Sequence, residues 1–371
     1  MKVREVMQLL EELAPLSYSE DFDNTGLLVG DAQQEVTGIL VTLDTLESVV
    51  DEAISEGCNL IVSFHPIIFS GLKKITGKTY VERVVAKAIK HDISIFAIHT
   101  ALDNAWNGVN AMICEKLGLT NRSVLITKPG TIQKLITFAP KDSAASVRQA
   151  LFDAGAGNIG NYQNCSFNIE GLGSFEGNED SNPTIGEAGT THYEEEVQIG
   201  VTFRKHLKSN VLNALFKAHP YEEVAYEVTT LENTNQHIGM GMIGTLESPM
   251  KEEDFLQFVK KTMQAGCVRH SQLLGKEISK VAVLGGSGSF AIGAAIGAGA
   301  AAYVTSDLKY HDFFRAENTI LLTDIGHYES EQYTKDLLVS FLKEKITNFA
   351  PALPGSKVVL SRINTNPITY L

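Results

Sequence analysis

The stretch GILVTLDTLESVVDEAISEGCNLIVSFH, residues 38–65, decides the fold. Gly38 to Asp44 is an apolar run of strand length. Glu47 to Gly57 follows with Val49, Val50, Ala53 and Ile54 on one helical face, and Gly57 ends it. Asn59 to Ser63 is a second apolar run, stopped by His65-Pro66. Strands that are apolar on both faces, joined by a helix, predict parallel pairing under two covering layers.

The alternation continues outward. Tyr80 to His91 reads as a helix and Ser94 to Ile98 as a strand. Beyond about residue 128 the pattern changes. Lys134–Ala139, Cys165–Phe175, Glu195–Phe203 and Glu223–Val228 read as strands, Ser143–Ala154 and Leu207–Ala218 as helices. The order β-α-β-β-α-β is ferredoxin-like. Gly177 to Thr191, between the central strands, is a long polar loop. From about residue 237 the first pattern returns. Lys280–Leu284, Ala301–Thr305 and Thr319–Thr323 are strands, and Phe290–Gly299 and Ser330–Lys345 are helices. The organisation is therefore 1–128 as the first half of an α/β core, 129–236 as a ferredoxin-like α+β insert, and 237–371 as the second half. The outer segments resemble each other. Each carries a polar residue at a strand end (His65, Asp307) and then a His-x-x-x-acid pair (His99 with Asp103, His327 with Glu331). A duplicated βαβ core with a mostly parallel sheet, interrupted by the insert, follows from this.

Composition sets outer limits. With 31 Lys plus Arg against 44 Asp plus Glu, the formal charge is −13, and no run of basic residues offsets it. That disfavours nucleic acid and anionic membranes as partners. The N-terminus reads as an amphipathic helix with acids inside it, not a signal peptide, and Phe290–Val304 is too short to span a bilayer. Cys58, Cys114, Cys165 and Cys267 lack the spacing of a metal knuckle and read as reduced thiols. The expectation is a cytoplasmic protein.

Ligands bind where parallel strands end. His65, His99, Asp103 and His327 all lie just past an apolar strand, and Glu331 shares a helical face with His327. Any one of these histidines alone more often makes a structural hydrogen bond. Four such residues at equivalent points of a duplicated sheet indicate a metal site. Mixed imidazole and carboxylate donors suit zinc first, with manganese or iron as alternatives. Gly285-Gly-Ser-Gly-Ser289 offers either a phosphate cradle or a tight structural turn. His311 reads either as a substrate-facing acid or base, or as a helix residue without a role.

At these residues the sequence resembles a known family. The stretches Asp23–Gly30, Phe64–Phe69, His99–Asp103, Thr305–His311 and Asp324–Glu331 look like those of the Nif-three-like dinuclear metal-centre proteins, whose members commonly carry the name GTP cyclohydrolase 1 type 2 homologue. His219-Pro-Tyr-Glu-Glu-Val224 resembles a motif of the insert in its long bacterial branch, which is similar to the PII and CutA proteins. The resemblance implies a homohexameric ring and a two-metal site, with His65 and Asp103 on one ion, His327 on the other and Glu331 bridging. One position departs from it: Phe64 stands where a second histidine is usual. The second ion then loses a ligand, which His99 could replace. The function implied is metal-dependent hydrolysis with a purine nucleotide as candidate substrate, His311 or His99 moving protons. The alternative is a non-enzymatic regulatory ring whose insert senses a signal.

Overall fold

The structure of the chain, a computed structural model, describes residues 1–349 and 357–371. It divides into two compact units, Met1–Thr127 together with Gln236–Leu371, and Lys128–Asn235. The larger unit opens with α1 (Val3–Leu13), β1 (Gly26–Val29), β2 (Gly38–Thr42), α2 (Glu47–Ser55), β3 (Leu60–Ser63), α3 (Tyr80–Lys90), β4 (Ser94–Ala97), α4 (His99–Asp103), α5 (Val109–Lys116) and β5 (Thr120–Thr127). The smaller unit holds β6 (Ile132–Pro140), α6 (Lys141–Asp153), β7 (Phe167–Phe175), β8 (His192–Arg204), α7 (Lys208–Ala218) and β9 (Tyr226–Thr230). The larger unit then resumes with β10 (Gly239–Lys251), α8 (Glu252–Thr262), β11 (Arg269–His270), β12 (Glu277–Ser287), α9 (Ile292–Gly297), β13 (Ala302–Ser306), β14 (Leu321–Asp324), α10 (His327–Glu331), α11 (Thr334–Phe349) and β15 (Lys357–Leu360).

Among the described residues the strands form three sheets, ordered β1-β4-β3-β2-β15, β11-β14-β13-β12-β10-β5 and β7-β8-β6-β9. The first two repeat one plan. β2, β3 and β4 are parallel, with β1 antiparallel on the outer side of β4. β12, β13 and β14 are parallel, with β11 antiparallel on the outer side of β14. The edge strands cross over. β15, from the end of the chain, pairs with β2, and β5, from the first half, extends the second sheet through β10.

The parallel strands are buried on both faces because their side chains alternate between two cores. Leu40, Ile61 and Ile95 pack with Val49, Val50 and Ala53 of α2 and Val84, Val85 and Ala88 of α3. Ile39, Val41, Leu60, Val62 and Phe96 face the other way, into a cluster shared with Val281, Val283, Ala302 and Val304 of the second sheet. The smaller unit packs α6 and α7 on its sheet through Val147, Leu151, Val211 and Leu215. Its strand order is that of a ferredoxin-like fold.

Two local expectations fail and one open reading narrows. Ile54 is exposed, and the α2 face buries Glu52 instead. The Glu52 carboxylate accepts hydrogen bonds from Ser361 Oγ at 2.5 Å and the Arg362 amide at 2.9 Å, so burial here serves the C-terminal segment. At the glycine-rich stretch, left open between a phosphate cradle and a tight turn, the structure weighs against the cradle. β12 continues through Ser287, and the Gly285 and Gly286 amides already donate to Asn110 Oδ1 and Ser330 Oγ. Finally, the helix read over Ser330–Lys345 is two helices, α10 and α11. No helix among the described residues is long and apolar enough to cross a membrane.

Candidate metal centre

Three donor atoms from both halves of the larger unit converge. His65 follows β3, while His327 and Glu331 are the ends of α10. Glu331 Oε2 lies 3.1 Å from His65 Nε2 and 3.2 Å from His327 Nε2. The two Nε2 atoms are 3.4 Å apart. His65, His327 and Glu331 thus form a group able to hold a metal ion.

Each imidazole is fixed from behind. His65 Nδ1 donates to Asp44 Oδ1 at 2.8 Å, and Thr365 Oγ1 donates to Asp44 Oδ2 at 2.6 Å. His327 Nδ1 donates to Asp307 Oδ2 at 2.7 Å, and Ser287 Oγ donates to the same carboxylate. His99 repeats the arrangement: its Nδ1 donates to Asp23 Oδ1 at 2.8 Å, with the Thr100 hydroxyl on Asp23 Oδ2. A carboxylate can only accept, so Nδ1 carries the proton in all three. In the neutral ring Nε2 then offers a lone pair, the arrangement that orients metal-binding histidines. Three lone-pair atoms at 3.1–3.4 Å repel unless something positive lies among them. Without metal, protons fill that role. Burial works against a charged imidazole at both positions, but Glu331 and the carboxylates behind outweigh it and push His65 up to about 10 and His327 up to about 11. Burial raises Glu331 in turn, yet the two histidines pull it down to about 2.

The backbone is shaped around these groups. A Cβ at Gly286 would meet Glu331 Oε1 at 2.4 Å, and Gly286 has φ +72°. His99 and Asp307 hold φ of 29° and 57°, a left-handed region that side-chain-bearing residues seldom adopt. Such outliers cluster at functional sites.

A cavity of about 270 Å³ opens beside the cluster, lined by His327, Glu331, His99 and Asp103 among others. Asp103 Oδ1 is shielded from solvent and has no hydrogen-bond partner among the described residues. Burial, and then the charge of Glu331, hold the Asp103 carboxyl well above the usual carboxylate range. The His99 ring stands 5.3 Å from that of His65, centre to centre. His311 is exposed, in ring contact with Tyr310 and Phe314, and does not line the cavity. Phe64 is fully buried in the core, its ring 4.9 Å from His65 and 5.6 Å from His99.

Asp23, Asp44, Asp307, Ser287 and Thr365 were not assigned to the site from the sequence. Asp44 and Asp307 do end or follow apolar strands, the signal that marked His65. Thr365 sits in a polar tail with no such signal.

The fold and the cluster together define an α/β protein in which the two halves of the larger unit, one sheet each, bring together a His/His/Glu group able to hold a metal ion. The family model for Duf34/NIF3 (NGG1p interacting factor 3) matches residues 1–367, and the chain belongs to that family. It is 38% identical over 378 residues to a Bacillus subtilis protein named GTP cyclohydrolase 1 type 2 homolog, covering 99% of this chain and 98% of that one. A Halalkalibacterium halodurans protein of the same name is 38% identical over 371 residues, covering 99% and 98%. The solved structure of a Bacillus cereus protein related to NIF3 is similar at TM-score 0.86 and 37% identity, covering 100% of this chain and 99% of that one.

Proposed function

We propose that this protein is a metal-dependent hydrolase whose centre is His65, His327, Glu331 and Asp103, with zinc as the ion. The carrying observation is the set of three lone-pair atoms 3.1–3.4 Å apart. Two donors on one tetrahedral zinc stand about 3.3 Å apart, from bond lengths of about 2.05 Å. A single ion therefore accommodates His65 and His327, which the family resemblance assigns to separate ions. When bound, such an ion lowers the pKa of water to about 7. Asp103, unpartnered in the same cavity, is placed to accept a proton or to serve as a further ligand. His99, oriented by Asp23, can move a proton between substrate and solvent. The names of the relatives support a purine nucleotide as substrate, and the family resemblance supports a six-subunit ring.

The test is zinc affinity against pH, with proton release followed in the same titration. Both imidazoles must lose a proton to bind, so affinity should rise steeply with pH below about 10, with a slope near two protons per ion. In metal-free protein the sign reverses. The raised histidines stabilise the fold below the unfolded value of about 6.5, and that contribution is lost as pH rises through about 10 to 11. Zinc affinity that is flat between pH 6 and 9, or unchanged in His327→Ala, would overturn the proposal.

A further inference from the structure

Two exposed phenylalanines line the cavity beside the candidate metal centre, and a third stands against one of them. Phe22 is 67% exposed, Phe69 51% and Phe290 55%. Phe22 and Phe290 line the cavity, and the Phe69 ring lies 6.5 Å from Phe22 and 6.3 Å from His99. A single exposed apolar side chain is ordinary, but several gathered at one cavity mark a binding surface. The rings draw on both halves of the unit. Phe22 precedes Asp23, which orients His99, and Phe290 follows β12, which supplies Gly286 beneath Glu331. Met240 and Leu284 add apolar wall, while Asp103, His327 and Glu331 supply polar groups. The cavity lining therefore combines apolar faces with a few polar groups.

Size and charge narrow the ligand. About 270 Å³ lies at the small end of ligand pockets and suits a one- or two-ring head, not a whole nucleotide. Among the described residues no lysine or arginine lines the cavity, so nothing there would anchor a phosphate. Phenylalanine faces hold flat π-systems by stacking, with little regard to substituents.

We propose that Phe22, Phe69 and Phe290 form a stacking collar that selects ligands with a flat aromatic head of one or two rings. The polar edge of the head faces His327 and Glu331, and any sugar or phosphate stays outside. This rests on the metal-centre reading for what the head meets, but not for the stacking itself.

The test uses the full chain with 2-aminopurine riboside as fluorescent probe, read by anisotropy, and the zinc content of every sample is measured. Saturable binding is expected. Phe22→Ala and Phe290→Ala should each weaken it about 5- to 100-fold, the range for loss of one stacking partner. Zinc content should not change, Phe22→Tyr should restore binding, and ribose 5-phosphate should not compete. Absence of saturable binding, equal binding by both alanine variants, or competition by ribose 5-phosphate overturns the collar. So does a change in sedimentation of the alanine variants with probe binding intact, since the rings would then cover a contact between copies. If the wild type holds no zinc yet probe binding still depends on the phenylalanines, the metal reading fails and the collar stands.

Discussion

The two halves of the larger unit run through the same order of elements but fill equivalent positions differently. β3 is followed closely by His65, whereas its counterpart β13 is followed by Asp307. β4 leads into His99 and β14 into His327, each with an acid four residues on, Asp103 and Glu331. Both histidines of that second pair of positions are oriented by a carboxylate, Asp23 or Asp307. Yet only the second half brings its acid into contact with its histidine and with His65. The two halves share one frame, and single residues at equivalent positions make it one-sided. Glutamate at 331 reaches where aspartate at 103 stops short, and Asp307 supports a ligand at the position where His65 is one.

The sharpest way to break that asymmetry is to shorten the longer acid. Glu331→Asp withdraws the carboxylate by one C–C bond, about 1.5 Å. Metal sites tolerate only about 0.2 Å in ligand distance. Zinc affinity should fall more than a hundred-fold while circular dichroism stays unchanged, because the change removes one methylene and keeps a carboxylate. Adding Asp103→Glu should not restore binding, since both histidines address residue 331. Full recovery in the double variant would mean that the halves are interchangeable.

The supporting carboxylates come next. Asp44→Asn and Asp307→Asn each remove the charge behind one imidazole, and such changes cost metal affinity about 10- to 100-fold. The two should lose similar amounts, because each histidine has one carboxylate behind it at 2.7–2.8 Å. Calorimetric titration of stripped protein checks this. A large loss in one variant and none in the other would show that a single imidazole carries the ion.

The division between legible and illegible follows the same physics. The parallel strands were readable because burial on both faces leaves no polar alternation, as in Leu60 to Ser63. The repeated His-x-x-x-acid spacing was readable because α4 and α10 each span one helical turn. Ile54 misled because helical periodicity gives a face but not its edge, and buried Glu52 lay beside it, held by a segment some 310 residues away in sequence. The role of Asp44 was hidden for the same reason. It depends on His65, just past β3, on one side and on Thr365 on the other, and no local pattern records either. The strand read over Glu223–Val228 starts later, at Tyr226, because Pro220 and the bond from the Tyr221 amide to His219 Nδ1 hold a turn first.

Phe64 sharpens the comparison from the first half. Its ring is buried between core side chains and the rings of His65 and His99. Phe64→His would place a third imidazole in that neighbourhood without moving the backbone. A second zinc ion, weaker than the first, is expected by elemental analysis and titration. Burying the ring nitrogens should cost metal-free protein about 1–3 kcal/mol, read from denaturant unfolding. Two equally tight ions in the unaltered protein would show that the missing histidine is already replaced.

The smallest effect should come from Thr365. Its hydroxyl donates to Asp44 Oδ2 at 2.6 Å, and Asp44 Oδ1 holds His65. Ser287 does the equivalent for Asp307, but from within β12 of the same half, whereas Thr365 reaches Asp44 from the opposite end of the chain. Thr365 is itself only 5% exposed, so Thr365→Val keeps the volume and removes only the donor. The Asp44 charge remains, and the His65 hydrogen bond with it. Zinc affinity should therefore fall by no more than about 10-fold, the low end for a partner beyond the ligands, and less than in Asp44→Asn. Cobalt-substituted protein gives a second readout, because a loosened His65 changes the visible bands even where affinity barely moves. If Thr365→Val cost as much as Asp44→Asn, the C-terminal segment would be holding the whole Asp44 loop in place, and its tie to the first half would be structural before it was a matter of the metal.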